Sequence, residues 1–246
     1  MGMIDRVEVP RKVCPVIILA DKSISMDGLP IGSENAAIEG ILPELASMNK
    51  ENPDAFIKFA LMEFSTGVNW KTGIDGLVDP AEYKWVDLVA DGATSFGLAC
   101  KELNNKLSVS HGFMKQASGS VSPVIILISD GEPTDSYSVA LAELKKNNWF
   151  KVAAKIAIGY GKANDKVLEE FTGNPETVIH TNDVQELKNL IKFVAITSSM
   201  VVSTGQATKS NTDTNADPDD TTSVVADALK QAQAALSDAT DPGEEW

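Results

Sequence analysis

A chain of 246 residues, 43% hydrophobic and 23% charged, has room for one large α/β domain or for one domain and a tail. Its net charge of −14 offers no basic footprint for a nucleic-acid backbone. No apolar run approaches the ~20 residues of a bilayer span, and Cys14 and Cys100, with no Cys-x-x-Cys pair, exclude a disulfide framework and a zinc ribbon. The two thiols read as buried core groups. The opening residues MGMIDRVEVPRKV lack a signal-peptide apolar region, and Arg6 stands where a myristoylation signal wants Ser or Thr. A cytoplasmic location is the expectation.

The body is read as Val7 to Ser203, alternating strand and helix patterns. Val13 to Ala20 is almost wholly apolar, as in a central strand buried on both faces of a parallel sheet. Ile38, Ile41, Leu42, Leu45 and Met48 recur at helical spacing, with Pro43 expected to kink or break the helix. Ala55 to Phe64 is a second strand. Through the Ser65-Thr66-Gly67 turn it forms a hairpin with a third, Val68 to Ile74. Phe96, Ala99, Leu103 and Leu107 make a helical stripe, and Val121 to Ser129 is another buried strand. A helix over Tyr137 to Lys146, a strand over Val152 to Ile158, a short helix over Lys166 to Phe171 and a short strand over Thr177 to His180 follow. Asp183 opens a last helix with Val184, Leu187, Leu190, Ile191 and Val194 on one face, and Asp183 and Glu186 have capping-box spacing.

Such alternation predicts an α/β, doubly wound, mostly parallel sheet with helices on both faces and one antiparallel edge strand. Composition changes after Ser203. The stretch 204–246 holds nine acidic residues against Lys209 and Lys230, half of the net charge. Thr204 to Ser223 lacks any large apolar group, so it cannot offset its ordering entropy by burial. Val225, Leu229, Ala232 and Leu236 allow a short helix at 222–239, marginal in isolation. An acidic, mostly disordered spacer is expected. Its threonines, Thr208, Thr212, Thr214, Thr221 and Thr222, are candidate phosphorylation sites.

Asp21-Lys22-Ser23-Ile24-Ser25 begins where the first strand stops, and ligands of open α/β sheets sit beyond the carboxyl ends of strands. Alone, Asp-x-Ser-x-Ser also describes a turn or a helix cap. Two other segments strengthen it. Gly92-Ala93-Thr94-Ser95 precedes the second main helix, and Asp130-Gly131 follows the strand ending at Ser129. If the first and fourth strands are neighbours, Asp21, Ser23, Ser25, Thr94 and Asp130 converge. Two carboxylates and three hydroxyls make a hard, oxygen-only set that suits Mg²⁺, with Mn²⁺ or Ca²⁺ as alternatives. Neutral hydroxyls leave much of the ion's charge uncompensated, so the arrangement would attract an Asp or Glu of a protein partner.

These segments resemble the von Willebrand factor A (vWA) domains and their metal-ion-dependent adhesion site. Within that family the closest resemblance is to bacterial vWA proteins of the tellurium-resistance-associated TerY type. It is carried by DKSISM (Asp21 to Met26), GATSFG (Gly92 to Gly97), ISDGEPTD (Ile128 to Asp135), KIAIGYG (Lys155 to Gly161) and NDVQELKNLIKF (Asn182 to Phe193), and covers about Lys12 to Ser203. The resemblance implies direct metal contact by Ser23 and Ser25. It also implies that Thr94 and Asp130 exchange direct and water-mediated contact as the site switches. Lys22 and Ile24 depart from the small residues frequent between the ligands, and Ala93 from a frequent Gly, so the Thr94 loop is a place to expect a difference. The implied function is non-enzymatic: a Mg²⁺-dependent protein-interaction module of a bacterial stress-response, tellurium-resistance-type or defence assembly. Kinase or phosphatase components are among the implied partners.

Other candidates read more plainly. Thr134 or Asp135 is expected to cap the helix that follows, with Glu132 beside them. Asp27 reads as a solvated turn residue. His111 and His180 adjoin no Gly-x-Ser-x-Gly elbow, and Gly159-Tyr160-Gly161-Lys162 is not a P-loop. Trp70 and Trp85 read as packing residues, with an interface anchor as the alternative. The rivals to a binding module are a metal-assisted phosphoryl-transfer enzyme, which needs a nucleophile or base beside the metal, and a structural scaffold with no metal.

Overall fold

The structure is a computed structural model that describes residues 11–52, 55–73, 76–116, 122–161, 163–181, 183–192 and 226–227. Six strands form one sheet: β1 (Lys12–Asp21), β2 (Ala55–Phe64), β3 (Val68–Trp70), β4 (Val124–Ser129), β5 (Ala154–Gly159) and β6 (Val178–His180). Their order is β3-β2-β1-β4-β5-β6, and every pair is parallel except β2–β3. The α/β architecture and the antiparallel edge strand are as the sequence predicts. The order steps outward in both directions from β1, so the switch in strand order falls between β1 and β4, where ligands of such sheets bind.

The helices are α1 (Leu29–Glu51), α2 (Phe96–Lys106), α3 (Tyr137–Leu144), α4 (Asn148–Val152) and α5 (Asp165–Thr172), with residues 184–192 helical as α6. They cover both faces. Val16, Ile18 and Ala20 of β1 point into a core with Ile38, Ile41 and Leu45 of α1 and Leu187 and Ile191 of α6. Ile17 and Leu19 point into the opposite core, with Phe96, Ala99 and Leu103 of α2 and Leu141 and Leu144 of α3. Burial on both faces explains the unbroken apolar run of β1, which has no solvent face on which to alternate.

Pro43 does not break α1, which is continuous from Leu29 to Glu51. Pro43 and Glu39 both lie on the exposed side, so the Glu39 carbonyl that loses its helical donor can reach water. The third strand ends at Trp70 rather than Ile74. Thr72 turns inward, its Oγ1 accepting the Leu61 N–H at 3.1 Å, and Gly73 takes a positive φ. The outer edge of β2 is closed piecewise where β3 is too short to pair with it. The Asn49 amide exchanges two hydrogen bonds with Ile57, Val78 exchanges two with Phe59, and Lys71 N–H donates to Leu61 O. An open edge with unmet backbone groups is thereby avoided. The fifth strand starts at Ala154 rather than Val152, because Asn147 accepts the Trp149 N–H and opens α4 over residues 148–152.

Trp70 packs edge-to-face on Phe113 at 4.7 Å and donates to Glu102, and Trp85 packs against the α1-side core. Both therefore serve as packing residues. The predicted tail 204–246 lies outside the described residues save for Ala226 and Asp227. These are helical, and Ala226 is buried. Val194 of the last predicted helix and Val121 of the fourth strand also lie outside the described residues.

Candidate metal centre

Asp21 is the last residue of β1 and is fully buried. Its Oδ1 accepts the Ser23 N–H at 2.9 Å, and its Oδ2 accepts the Ser129 hydroxyl at 2.5 Å. Ser129 ends the neighbouring β4, and its Oγ also accepts the Gly131 N–H at 2.9 Å. The β1–β4 pairing thus joins the first loop to the third beneath their tips. The Ser23 and Ser25 hydroxyls lie 3.0 Å apart, Ser23 buried and Ser25 exposed.

The second loop is fastened to the first by its backbone. Asp91 N–H donates to Lys22 O at 2.7 Å, and Ile24 N–H to Gly92 O at 3.1 Å. The Lys22 ammonium pairs with Asp91 at 2.8 Å, and Ser65 donates to the same carboxylate oxygen. Hydrogen bonding to Lys22, before all else, holds the Asp91 carboxyl below its ordinary value. Lys22, one of the departures from the family pattern, is therefore directed to Asp91, and among the described residues no cationic side chain pairs with Asp21 or Asp130.

Ala93 takes no positive φ. That conformation falls on Gly92 at +67°, where a Cβ would also collide with the Thr66 hydroxyl. The difference expected from Ala93 is thus absorbed one residue earlier. Thr94 is buried, and it is clamped by the third loop: its N–H donates to the Thr134 hydroxyl at 3.1 Å, and its carbonyl accepts the Thr134 N–H at 2.8 Å.

Asp135 does not cap the helix that follows it. Its two oxygens accept the Gly97 and Leu98 N–H groups at 3.0 and 3.1 Å, capping α2 instead. The spacing within the third loop suggested a local cap, but a non-local one is made because α2 and α3 start side by side. Gly97 permits this approach, since a Cβ there would meet Tyr137 Cα at 2.8 Å. Asp135→Ala leaves two orphaned N–H groups and is expected to destabilise the fold by about 1–2 kcal/mol. Urea unfolding would read the loss, and an unchanged midpoint would contradict the cap.

The five candidate residues therefore sit on three loops that are bonded to one another at the carboxyl end of β1 and β4. Asp130 is half-buried, its Oδ1 accepting the Glu132 N–H at 3.2 Å while its backbone carbonyl accepts the Asn164 N–H. Burial pushes the Asp21 carboxyl up to about 6, against three hydrogen bonds that lower it, and the Asp130 charge adds to the rise. Among the described residues no cationic side chain offsets its charge. The donor set is hard oxygen throughout, so its chemistry fits a divalent ion of the Mg²⁺ kind. Among the described residues no group of three or more His, Cys, Asp or Glu side chains is placed to hold a metal, so any site here must rely on hydroxyls.

His111 lies in the connection after α2, with Nδ1 2.8 Å from Ser110 Oγ, and His180 pairs with Asp165 at 2.7 Å. Neither joins the three loops. Ser129, Asp91 and Glu34 carry no assignment from sequence, and Thr134, expected to cap α3, instead fastens the Thr94 loop. Ser129 left only a faint signal, a polar residue closing an apolar strand. Glu34 left a clearer one, an acid on the buried stripe of α1 between Ile31 and Ile38.

The sequence profile described as von Willebrand factor type A domain matches residues 16–193, and the chain belongs to that family. The human collagen alpha-5(VI) chain is 31% identical over 103 residues, which are 42% of this chain and 4% of that one. Among solved structures, a von Willebrand factor type A protein from Catenulispora acidiphila superposes with a TM-score of 0.54 at 17% identity, covering 76% of this chain and 42% of that chain. Proximal thread matrix protein 1 from the mussel byssus, with a zinc occupied MIDAS motif, gives 0.53 at 20% identity, over 75% of this chain and 48% of that one. The pilus adhesin SpaC from Lactobacillus rhamnosus GG gives 0.58 at 12% identity, over 80% and 31%. The chain thus spans less than half the length of these relatives, and at such identities the structural likeness establishes the fold alone.

Proposed function

We propose that this chain is a non-enzymatic, Mg²⁺-dependent protein-interaction module. Asp21, Ser23, Ser25, Thr94 and Asp130 hold the ion, and a partner's Asp or Glu completes its coordination. Domains of this family are usually non-catalytic interaction modules, often with such an adhesion site. The observation that carries the proposal is the buried Asp21 carboxylate, which among the described residues pairs with no cationic side chain and lies where three mutually bonded loops meet. Mg²⁺ keeps water ligands readily, so an exchangeable position remains for the partner. The mussel relative is described with zinc in its motif, whereas the hydroxyl-rich set here favours Mg²⁺ or Mn²⁺ over a soft-ligand ion. Exposed Ile24 and Leu29 flank the first loop and would add apolar contact around the captured carboxylate.

The assembly served is proposed from the TerY-type resemblance of the motifs: a cytoplasmic bacterial stress-response or tellurium-resistance-type system with kinase or phosphatase components. The test of the module is calorimetric titration of the full chain with Mg²⁺. A saturable one-site isotherm is expected for the wild type. Ser25→Ala and Asp130→Ala should weaken it while keeping the melting temperature measured in EDTA, because both side chains lie outside the two cores. Silence from the wild type, or unchanged affinity in both variants, would overturn the assignment.

A further inference from the structure

Seven large apolar side chains are exposed among the described residues, and six of them adjoin the three loops or the segment that runs into them. Ile24, 62% exposed, stands between Ser23 and Ser25, its N–H bonded to Gly92 O of the second loop. Leu29, 86% exposed, opens α1. Val86 and Val89 belong to the segment that enters the second loop. Leu88 between them exchanges hydrogen bonds with the Asn35 amide of α1, which sets this pair on the α1 side. On the other side of the sheet, Leu98 in the first turn of α2 donates its N–H to Asp135 of the third loop, and Val139 lies in the first turn of α3. The seventh, Val109, follows the far end of α2. Scattered singly, exposed apolar groups are ordinary, but gathered round one place they mark a contact surface. Ile24 is also one of the departures from the family pattern, so this rim is a property of the chain itself. The charges inside the rim are of one sign. Asp27 and Glu132 are exposed on the first and third loops, and among the described residues neither joins a salt bridge. Lys22 is engaged by Asp91. Asp21 and Asp130 already match the two charges of a divalent ion. One incoming carboxylate is drawn by the ion, whereas a second meets Asp27 or Glu132 and is repelled.

We propose that the protein segment captured at this end carries a single Asp or Glu set among large apolar side chains, with no second acid beside it. Its carboxylate reaches the ion, and its apolar neighbours cover Ile24 and Leu29 on the α1 side and Leu98 on the α2 side. The inference rests on the reading of the three loops as a Mg²⁺ site, and it supplies what that reading leaves open, the chemistry of the partner around its carboxylate. Covering the rim excludes water from the ion and its new ligand, which strengthens their attraction. An acid-dense segment is a poor occupant. The stretch 211–220 of this chain has Asp213, Asp217, Asp219 and Asp220 and no large apolar group, so it suits the ion but not the surroundings of the ion.

The test is selection from a phage-displayed library of random peptides on the full chain in Mg²⁺, with elution by EDTA. The eluted peptides are expected to hold one Asp or Glu adjoined by Leu, Ile, Val, Phe or Trp. A synthetic copy of one of them should bind more tightly than a synthetic peptide of residues 211–220. Ile24→Ser and Leu29→Ser should keep the wild-type Mg²⁺ isotherm and melting temperature, since both side chains are exposed, and each should weaken the selected peptide by about 3–10-fold. Val109→Ser, at the other end of α2, should change none of these. Mg²⁺ binding with no peptide released by EDTA would overturn this inference and leave the metal assignment standing. So would released peptides rich in acids and poor in apolar groups, equal affinity for the 211–220 peptide, or unchanged peptide affinity in both Ile24→Ser and Leu29→Ser. If Ile24→Ser disturbs the neighbouring ligands, Leu29→Ser decides. Absence of Mg²⁺ binding by the wild type would overturn both readings.

Discussion

Asp21→Asn is expected to abolish Mg²⁺ binding while preserving or raising the melting temperature of the metal-free protein. The amide oxygen can still accept the Ser23 N–H, and the amide NH₂ can donate to Ser129 Oγ, a hydroxyl able to switch from donor to acceptor. The fold therefore keeps its hydrogen bonds and loses only a buried charge, which burial already disfavours. A divalent ion at the same place loses one of two carboxylates, and three neutral hydroxyls cannot replace it. Asp21→Ala should abolish binding equally but destabilise the fold by about 1–3 kcal/mol, because it orphans the Ser23 N–H and the Ser129 hydroxyl. Calorimetry and thermal melts in EDTA on the two variants separate the electrostatic role from the structural one. Wild-type Mg²⁺ affinity in Asp21→Asn would remove Asp21 from the centre. A large fall in the EDTA melting temperature of Asp21→Asn would show that its charge, rather than its hydrogen bonds, holds the loops.

The difference between the legible and illegible parts of this protein follows from the range of the interactions. β1 and β4 could be recognised because burial on both faces writes itself as an uninterrupted apolar run. The candidate ligands could be singled out because Asp21 and Asp130 stand at the ends of the adjacent parallel strands β1 and β4, while the Thr94 segment stands just before α2. What escaped were contacts that join distant segments. Asp135 has the local spacing of a cap for α3, yet it serves α2 because the two helices start side by side. Asn49 is not singled out by sequence, because only the fold shows that the short β3 leaves the outer edge of β2 open at Ile57. Pro43 read as a breaker because the sequence does not say that its ring faces solvent. Glu34 was visible as a charge on a buried stripe, but only the fold shows that neither of its oxygens finds a hydrogen-bond partner among the described residues.

In EDTA the protein is expected to melt at a higher temperature near pH 5 than near pH 8. The Asp21 carboxyl has an ordinary value of 3.8 and lies at about 6 in the folded chain, chiefly through burial, with Asp130 adding to the rise and Ser129 and Ser23 opposing it. Between those values the folded state binds the proton and the unfolded state does not. Asp21's contribution is therefore fully present below about pH 4 and is lost as pH rises through 6, amounting to about 3 kcal/mol. Glu34, raised by burial and by the Asp21 charge, acts with the same sign. In a domain of this size each kcal/mol moves the melting temperature by about 2–4 °C. Asp91 acts with the opposite sign: its carboxyl is lowered by Lys22, so its contribution is present at neutral pH and lost on acidification. The decisive quantity is accordingly the difference between the wild-type and Asp21→Asn profiles, in which the Asp91 contribution cancels. That difference should widen from pH 4 to pH 7 in EDTA, with the wild type losing ground. With Mg²⁺ the trend should reverse. The ion binds the ionised carboxylate, so the metal-induced rise in melting temperature grows across the same interval and is absent from Asp21→Asn. A flat difference profile in EDTA would mean that Asp21 carries no burial penalty, and a Mg²⁺ effect independent of pH would mean that the ion binds elsewhere.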